Sequence, residues 1–235
     1  MKKKILNLNQ KLISYFGIPP RSKKTPGVLD ALIATILSQN TNDKNSYKAF
    51  EILKARYKNW EEVSNLSAKK LANEIRIAGL ANQKSRSIKA VLNSFIKNSQ
   101  PDKINFNNLN NDSVIDFLTA HEGVGIKTAS CVLLFSLGRN ICPVDTHVHR
   151  TLNRIGIVKT SSPDKTFFAI KDFIPENTAH SLHTNLILLG REFCKPQKPL
   201  CFNCPVRKMC KYESKNLEKP RQISSNKFLL LDSIS

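Results

Sequence analysis

Four cysteines, Cys194, Cys201, Cys204 and Cys210, stand in a C-x6-C-x2-C-x5-C pattern, leaving only Cys131 and Cys142 elsewhere in the chain. Pro196, Pro199 and Pro205 fall among them. Proline disfavours helix, so this segment is expected to be a loop whose thiolates converge on one inorganic centre. Four thiolates suit either tetrahedral zinc or a 4Fe-4S cluster. Structural zinc sites take ligands as close-set pairs, and only Cys201 and Cys204 are that near. The wide outer gaps favour the cluster, with zinc as the alternative. Two disulfides or unrelated buried thiols fit a reducing compartment less well.

Charge narrows the partner. Lys and Arg number 37 against 18 Asp and Glu, a net charge of +19 over 235 residues. Such a surplus attracts polyanions, nucleic acid first among them. An anionic lipid surface is the alternative, but no basic amphipathic anchor stands out, and apolar runs such as Cys131 to Leu134 are far too short to span a bilayer. Asn7, Asn9, Gln10 and Lys11 interrupt the apolar start after Met1-Lys2-Lys3-Lys4, so no export signal is read and a cytoplasmic location is expected. Between Arg191 and Arg221, nine basic and three acidic residues surround the cysteines. That shift in composition marks a separate functional unit.

Apolar residues recur at helix spacing: Leu32, Ile33, Ile36 and Leu37; Phe50, Leu53 and Tyr57; Val91, Leu92 and Phe95. Polar breaks at Ser22 to Pro26, Asn40 to Asn45, Ser64 to Ser67 and Gln100 to Asp112 carry cap and turn residues. An all-α fold follows. The apolar burst from Phe228 to Leu231 is open between a docked element and disorder.

Residues 121–129 read His-Glu-Gly-Val-Gly-Ile-Lys-Thr-Ala and lead into an apolar helical run. Gly123 and Gly125 suit a tight turn, and the free amides of the following helix can seat a phosphate. An ordinary interhelix turn explains the same residues. Asp145, opening Asp-Thr-His-Val-His-Arg, is placed as an N-cap.

The hairpin Gly-Val-Gly-Ile-Lys-Thr-Ala, the Val-Asp-Thr-His motif beginning 17 residues after Lys127, and the cysteine loop resemble, in that order, the endonuclease III family of DNA glycosylases, within the helix-hairpin-helix superfamily. The resemblance runs from about Leu29 to Cys210. It implies a two-lobed all-α protein: a six-helix barrel over 26–140, and a 4Fe-4S lobe built from 1–25 and 141–235 with its cluster loop at 194–210.

It further implies a bifunctional DNA glycosylase and AP lyase of base excision repair, a nucleoid-associated monomer that acts on double-stranded DNA carrying damaged bases or abasic sites. Such an enzyme removes oxidised pyrimidines through a lysine imine and cuts the strand by β-elimination. Lys127 would be the nucleophile and Asp145 its electrostatic partner. Leu80 would enter the base stack as an apolar wedge, and Gln39 or Asn40 would fill the vacated space. Gly123 and Gly125 would admit the DNA backbone, and Lys195 and Lys198 would touch phosphates. Cys194, Cys201, Cys204 and Cys210 would ligate the cluster. The chain departs from the family at His121-Glu122, where Leu-Pro is usual, and at Asn40, where many relatives have glutamine. A monofunctional glycosylase and a non-catalytic DNA-binding protein are the alternatives.

Overall fold

The computed structural model describes residues 1–22, 24–98, 105–219 and 230–234. Among these residues the regular structure is entirely helical. The chain divides into two compact units: Met1–Pro20 with the chain from Asn140, and Arg21–Arg139 with residues 230–234.

This division differs from the expected limits of 26–140 against 1–25 and 141–235. Residues 21, 22, 24, 25 and 230–234 all go with the hairpin-bearing unit. The reason is apolar burial: Leu230 and Ile234 are buried, and Leu231 lines a small cavity with Arg21, Pro26, Leu134 and Phe135. Residues 220–229, including Phe228 and Leu229, lie outside the described residues, as do 100–104 of the Gln100–Asp112 break.

The hairpin-bearing unit holds α2 (Val28–Ser38), α3 (Asp43–Arg56), α4 (Trp60–Ser64), α5 (Ala68–Glu74), α6 (Ala81–Asn93), α7 (Asn111–Thr119) and α8 (Ile126–Cys131). The polar breaks supply caps. Asn42 Oδ1 accepts from the Asn45 amide at 2.9 Å, Ser67 Oγ from Lys70 at 3.2 Å, and Asn110 Oδ1 from Ser113 at 2.8 Å. Each such cap stabilises its helix by about 1 kcal/mol. Helix α2 is buried from Ala31 to Leu37 and packs against α3, α6 and α8. A helix apolar on every side belongs at the centre of its unit. Its one polar residue in that stretch, Thr35, returns its hydroxyl to the Ala31 carbonyl at 2.7 Å.

The cysteine-bearing unit holds α1 (Lys2–Phe16), α9 (Thr146–Ile155), α10 (Pro163–Ile170) and α11 (Ala179–Glu192). Here α11 is the central helix, buried from Ala179 to Gly190 and packed against α1 and α9. Its polar side chains have partners: His183 Nδ1 bonds the Pro143 carbonyl at 2.9 Å, and Asn185 Nδ2 donates to the Gly17 carbonyl at 3.1 Å. At Gly190 an added Cβ would lie 2.7 Å from His147 Cβ. The missing side chain lets α9 seat closely on α11, which fixes the helix that Asp145 caps.

Candidate active site and thiolate loop

In the hairpin-bearing unit, the turn between α7 and α8 closes with the Val124 amide on the His121 carbonyl at 3.0 Å. Its two glycines differ in kind. Gly123 has φ +82°, and a Cβ there would overlap the Ser87 side chain on α6, 2.5 Å from Ser87 Cβ. Conformation and packing both demand glycine. Gly125 has extended backbone at φ −96°, ψ 178°, is exposed, and has open space where a Cβ would stand. Nothing within the protein requires glycine there.

His121, the departure from Leu-Pro, stiffens the turn by other means. Its ring lies 5.4 Å from Phe95 and 5.2 Å from Phe117 between centroids. Nδ1 donates to the Leu118 carbonyl at 3.1 Å, and Nε2 shares a hydrogen bond with Ser94 Oγ at 2.8 Å. Glu122 is exposed. Lys127 stands half-buried in the first turn of α8, whose macrodipole mildly disfavours a cation.

Two further turns bear expected DNA-binding residues. Asn40 (φ 51°) and Leu80 (φ 48°) are both left-handed. Asparagine tolerates this region, but for leucine it costs roughly 1–2 kcal/mol. Leu80 is also 52% exposed, so it is not the buried interhelix leucine its residue type suggests. Strain and exposed apolar surface coincide in one residue, a pairing typical of functional positions. Gln39 reaches the hairpin, with Nε2 donating to the Gly123 carbonyl at 3.2 Å.

The sequence reading missed Lys84, on α6. It is 2% exposed, and its Nζ donates to the Leu37 carbonyl at 2.8 Å and the Ala78 carbonyl at 2.7 Å. Burial pulls its pKa down from 10.5 to about 8. A lysine in an otherwise polar helix reads as a solvated charge, and no local signal says otherwise.

In the cysteine-bearing unit, Asp145 caps α9 as expected: Oδ1 accepts the Val148 amide at 2.8 Å. His147 Nδ1 lies 3.1 Å from Arg150 Nη2, and burial is the main cause lowering its pKa. Arg150 Nε donates to the Cys194 carbonyl at 2.8 Å. Arg154, one turn on, donates to the Lys195 and Pro196 carbonyls at 2.7 and 2.9 Å and to Cys194 Sγ at 3.6 Å. Two arginines of α9 therefore hold the start of the cysteine loop. Lys195 and Lys198 are exposed on it, Lys198 with φ 46°.

All four cysteines line one small cavity, with Ile155, Leu189, Phe193 and Val206 among the other walls. Among the described residues, no three His, Cys, Asp or Glu side chains are gathered as ligands of a single metal ion. Burial raises the pKa of Cys194, offset in part by Arg154, and pushes Cys204 up to about 12. Buried thiols of this kind ionise readily only when a cationic centre replaces their protons. Four thiols that line one cavity are the donor set a thiolate-ligated group requires. Lys127 belongs to one unit and Asp145 to the other. Among the described residues no helix is long and apolar enough to cross a membrane.

The HhH-GPD superfamily of base excision DNA repair proteins matches residues 33–176. The chain is 33% identical to endonuclease III of Thermotoga maritima over 82% of its own length and 87% of that protein's. It is 36% identical to endonuclease III of Sulfolobus acidocaldarius, over 83% and 86%. Among solved structures, a non-covalent endonuclease III–DNA complex superposes with a TM-score of 0.74 at 27% identity, covering 90% of this chain and 95% of that one. A trapped covalent endonuclease III–DNA intermediate gives the same score and identity, covering 90% and 96%.

Proposed function

Because the chain belongs to the endonuclease III family, within the HhH-GPD superfamily of base excision DNA repair proteins, we propose that it removes oxidised pyrimidines from duplex DNA through an imine on Lys127. At the level of class it is a DNA N-glycosylase and AP lyase. The observation that carries the finer reading is a lysine at the head of α8, directly after a hairpin whose Gly125 leaves its Cβ position open to a partner.

In the proposed reaction Lys127 Nζ attacks C1′ of a nucleotide turned out of the helix, and the base leaves with the electron pair of the glycosidic bond. Opening of the sugar gives the imine. Loss of a C2′ proton then expels the 3′ phosphate by β-elimination. Nζ attacks as the neutral amine, so a neighbouring group has to accept its proton. The Asp145 carboxylate would stabilise positive charge on the sugar and assist that proton loss. Its Oδ1 is held by the Val148 amide, which fixes the carboxylate's direction.

The exposed, left-handed Leu80 and the Gln39–Asn40 turn would occupy the stack as the nucleotide leaves. Gly123 shapes the hairpin, Gly125 admits the phosphate backbone, and Lys195 and Lys198 add phosphate contacts. Cys194, Cys201, Cys204 and Cys210 would hold a 4Fe-4S cluster, which supplies when bound the iron–sulfur bonds that cross-link the loop. A cytoplasmic, nucleoid-associated monomer acting on lesion-bearing or abasic duplexes is the working state this reading implies.

The test is single-turnover cleavage of a duplex containing thymine glycol by wild type, Lys127→Ala and Asp145→Asn. Wild type should release the base and nick the strand, and Lys127→Ala should do neither. Base release without a nick by wild type would identify a monofunctional glycosylase. No reaction by protein with its cluster verified would favour a DNA-binding role alone.

A further inference from the structure

Lys84 has no place in the chemistry above, yet it meets both turns that the mechanism sends into the duplex. The carbonyl of Leu37, which it binds at 2.8 Å, lies two residues before Gln39 and three before Asn40. The carbonyl of Ala78, bound at 2.7 Å, lies two residues before Leu80. Its own amide donates to the Leu80 carbonyl at 3.0 Å.

Three residues further along α6, on the same face, Ser87 packs under Gly123, and Gln39 closes the circuit by donating to the Gly123 carbonyl. One helix face thus underlies the hairpin and both inserting turns. We propose that Lys84 is a positioning residue for nucleotide displacement, its ammonium tying the Gln39–Asn40 turn to the Leu80 turn so that both enter the duplex as one body.

Helix-end capping alone does not explain the choice of residue. Burying an ammonium is costly, and an apolar side chain would fill the same volume without that cost. Its position gives the charge a use. Leu37 is in the last turn of α2, where free carbonyls and the macrodipole favour a cation. The 3₁₀ turn Arg76–Ala78 ends at the second carbonyl. Asn40 and Leu80 persist in left-handed conformations only if their surroundings over-determine them, and Lys84 anchors the backbone just before each. A single donor between two acceptors also fixes the spacing of the two turns, which insertion into one base step requires.

The inference rests on the reading of Leu80 and the Gln39–Asn40 turn as inserting elements. Its test uses full-length, cluster-loaded wild type, Lys84→Met, Leu80→Ala and the double variant, under single-turnover conditions. One duplex carries a paired thymine glycol, the other an abasic site, which needs little displacement.

Lys84→Met should slow base release from the paired lesion by about tenfold or more while keeping abasic-site cleavage within about twofold. The double variant should be no slower than the slower single variant, because Lys84 acts through Leu80. Equal loss on both duplexes, or multiplicative losses in the double variant, would overturn the inference.

If Lys84→Met fails to fold, Lys84→Arg carries the same comparison, since the longer guanidinium cannot sit between the two carbonyls without shifting the turns. Wild type inactive on both duplexes would refute the glycosylase reading and this one with it. A normal wild type with an unselective variant would refute this one alone.

Discussion

Replacing each hairpin glycine by alanine should separate fold from function within three residues. At Gly123 the new methyl needs a left-handed backbone, costing about 1 kcal/mol, and overlaps Ser87, adding about 1–3 kcal/mol. The sum of about 2–4 kcal/mol should lower Tm by roughly 5–15 °C for a chain of this size.

At Gly125 the backbone is extended and the Cβ position open. Alanine there should leave stability unchanged or raise it by about 0.4–1 kcal/mol through the unfolded state. If a phosphate seats against this turn, the methyl displaces it. Losing one hydrogen bond to a charged group costs about 1.5–3 kcal/mol, roughly a 10- to 150-fold rise in Kd. The assays are thermal melting and fluorescence anisotropy on a duplex with a stable abasic-site analogue, at one fixed salt concentration. Gly125→Ala binding as wild type does would refute the phosphate seat, and Gly123→Ala melting as wild type does would refute the packing on Ser87.

Leu80→Gly should relieve left-handed strain and raise stability by about 1 kcal/mol in a melting curve, while slowing base release from a paired lesion. A destabilised variant would contradict the strain. Lys84 adds a pH dependence of stability. Its folded pKa of about 8 lies below the ordinary 10.5. Below about pH 8 both states hold the proton and the burial penalty is complete; as pH rises further the folded lysine releases it first, so stability increases. From about pH 7 to about pH 9 the gain is about 1 kcal/mol, read as the change in wild-type stability minus that of Lys84→Met. Cys204→Ala should abolish visible absorbance and bound iron and sulfide, whereas zinc in a colourless wild-type preparation would overturn the cluster.

Much of this arrangement is legible in local chemistry. Asn42, Ser67 and Asn110 cap helices at the polar breaks, and Asp145 caps α9, because an Asx or Ser side chain meets its amides within three residues. The positive φ of Gly123 follows from a glycine in a short turn. Leu80 and Lys84 escape the same logic. Leucine ordinarily enters a core, and only the tertiary setting turns Leu80 outward in a left-handed conformation. Lys84 is buried because α6 passes the end of α2, 47 residues away in sequence. The tail is similar: Leu230 and Ile234 are buried in a unit that local composition around the cysteines could not indicate.

The central claim is a covalent imine on Lys127, and borohydride trapping tests it most directly. Wild type and Lys127→Ala, each with its cluster verified, would be mixed with duplexes containing thymine glycol or an abasic site and reduced with borohydride. A stable protein–DNA adduct is expected with wild type on both duplexes, with the linkage mapped to Lys127 and absent from the variant. An adduct of undiminished yield with Lys127→Ala, or none with an active wild type, would contradict the mechanism.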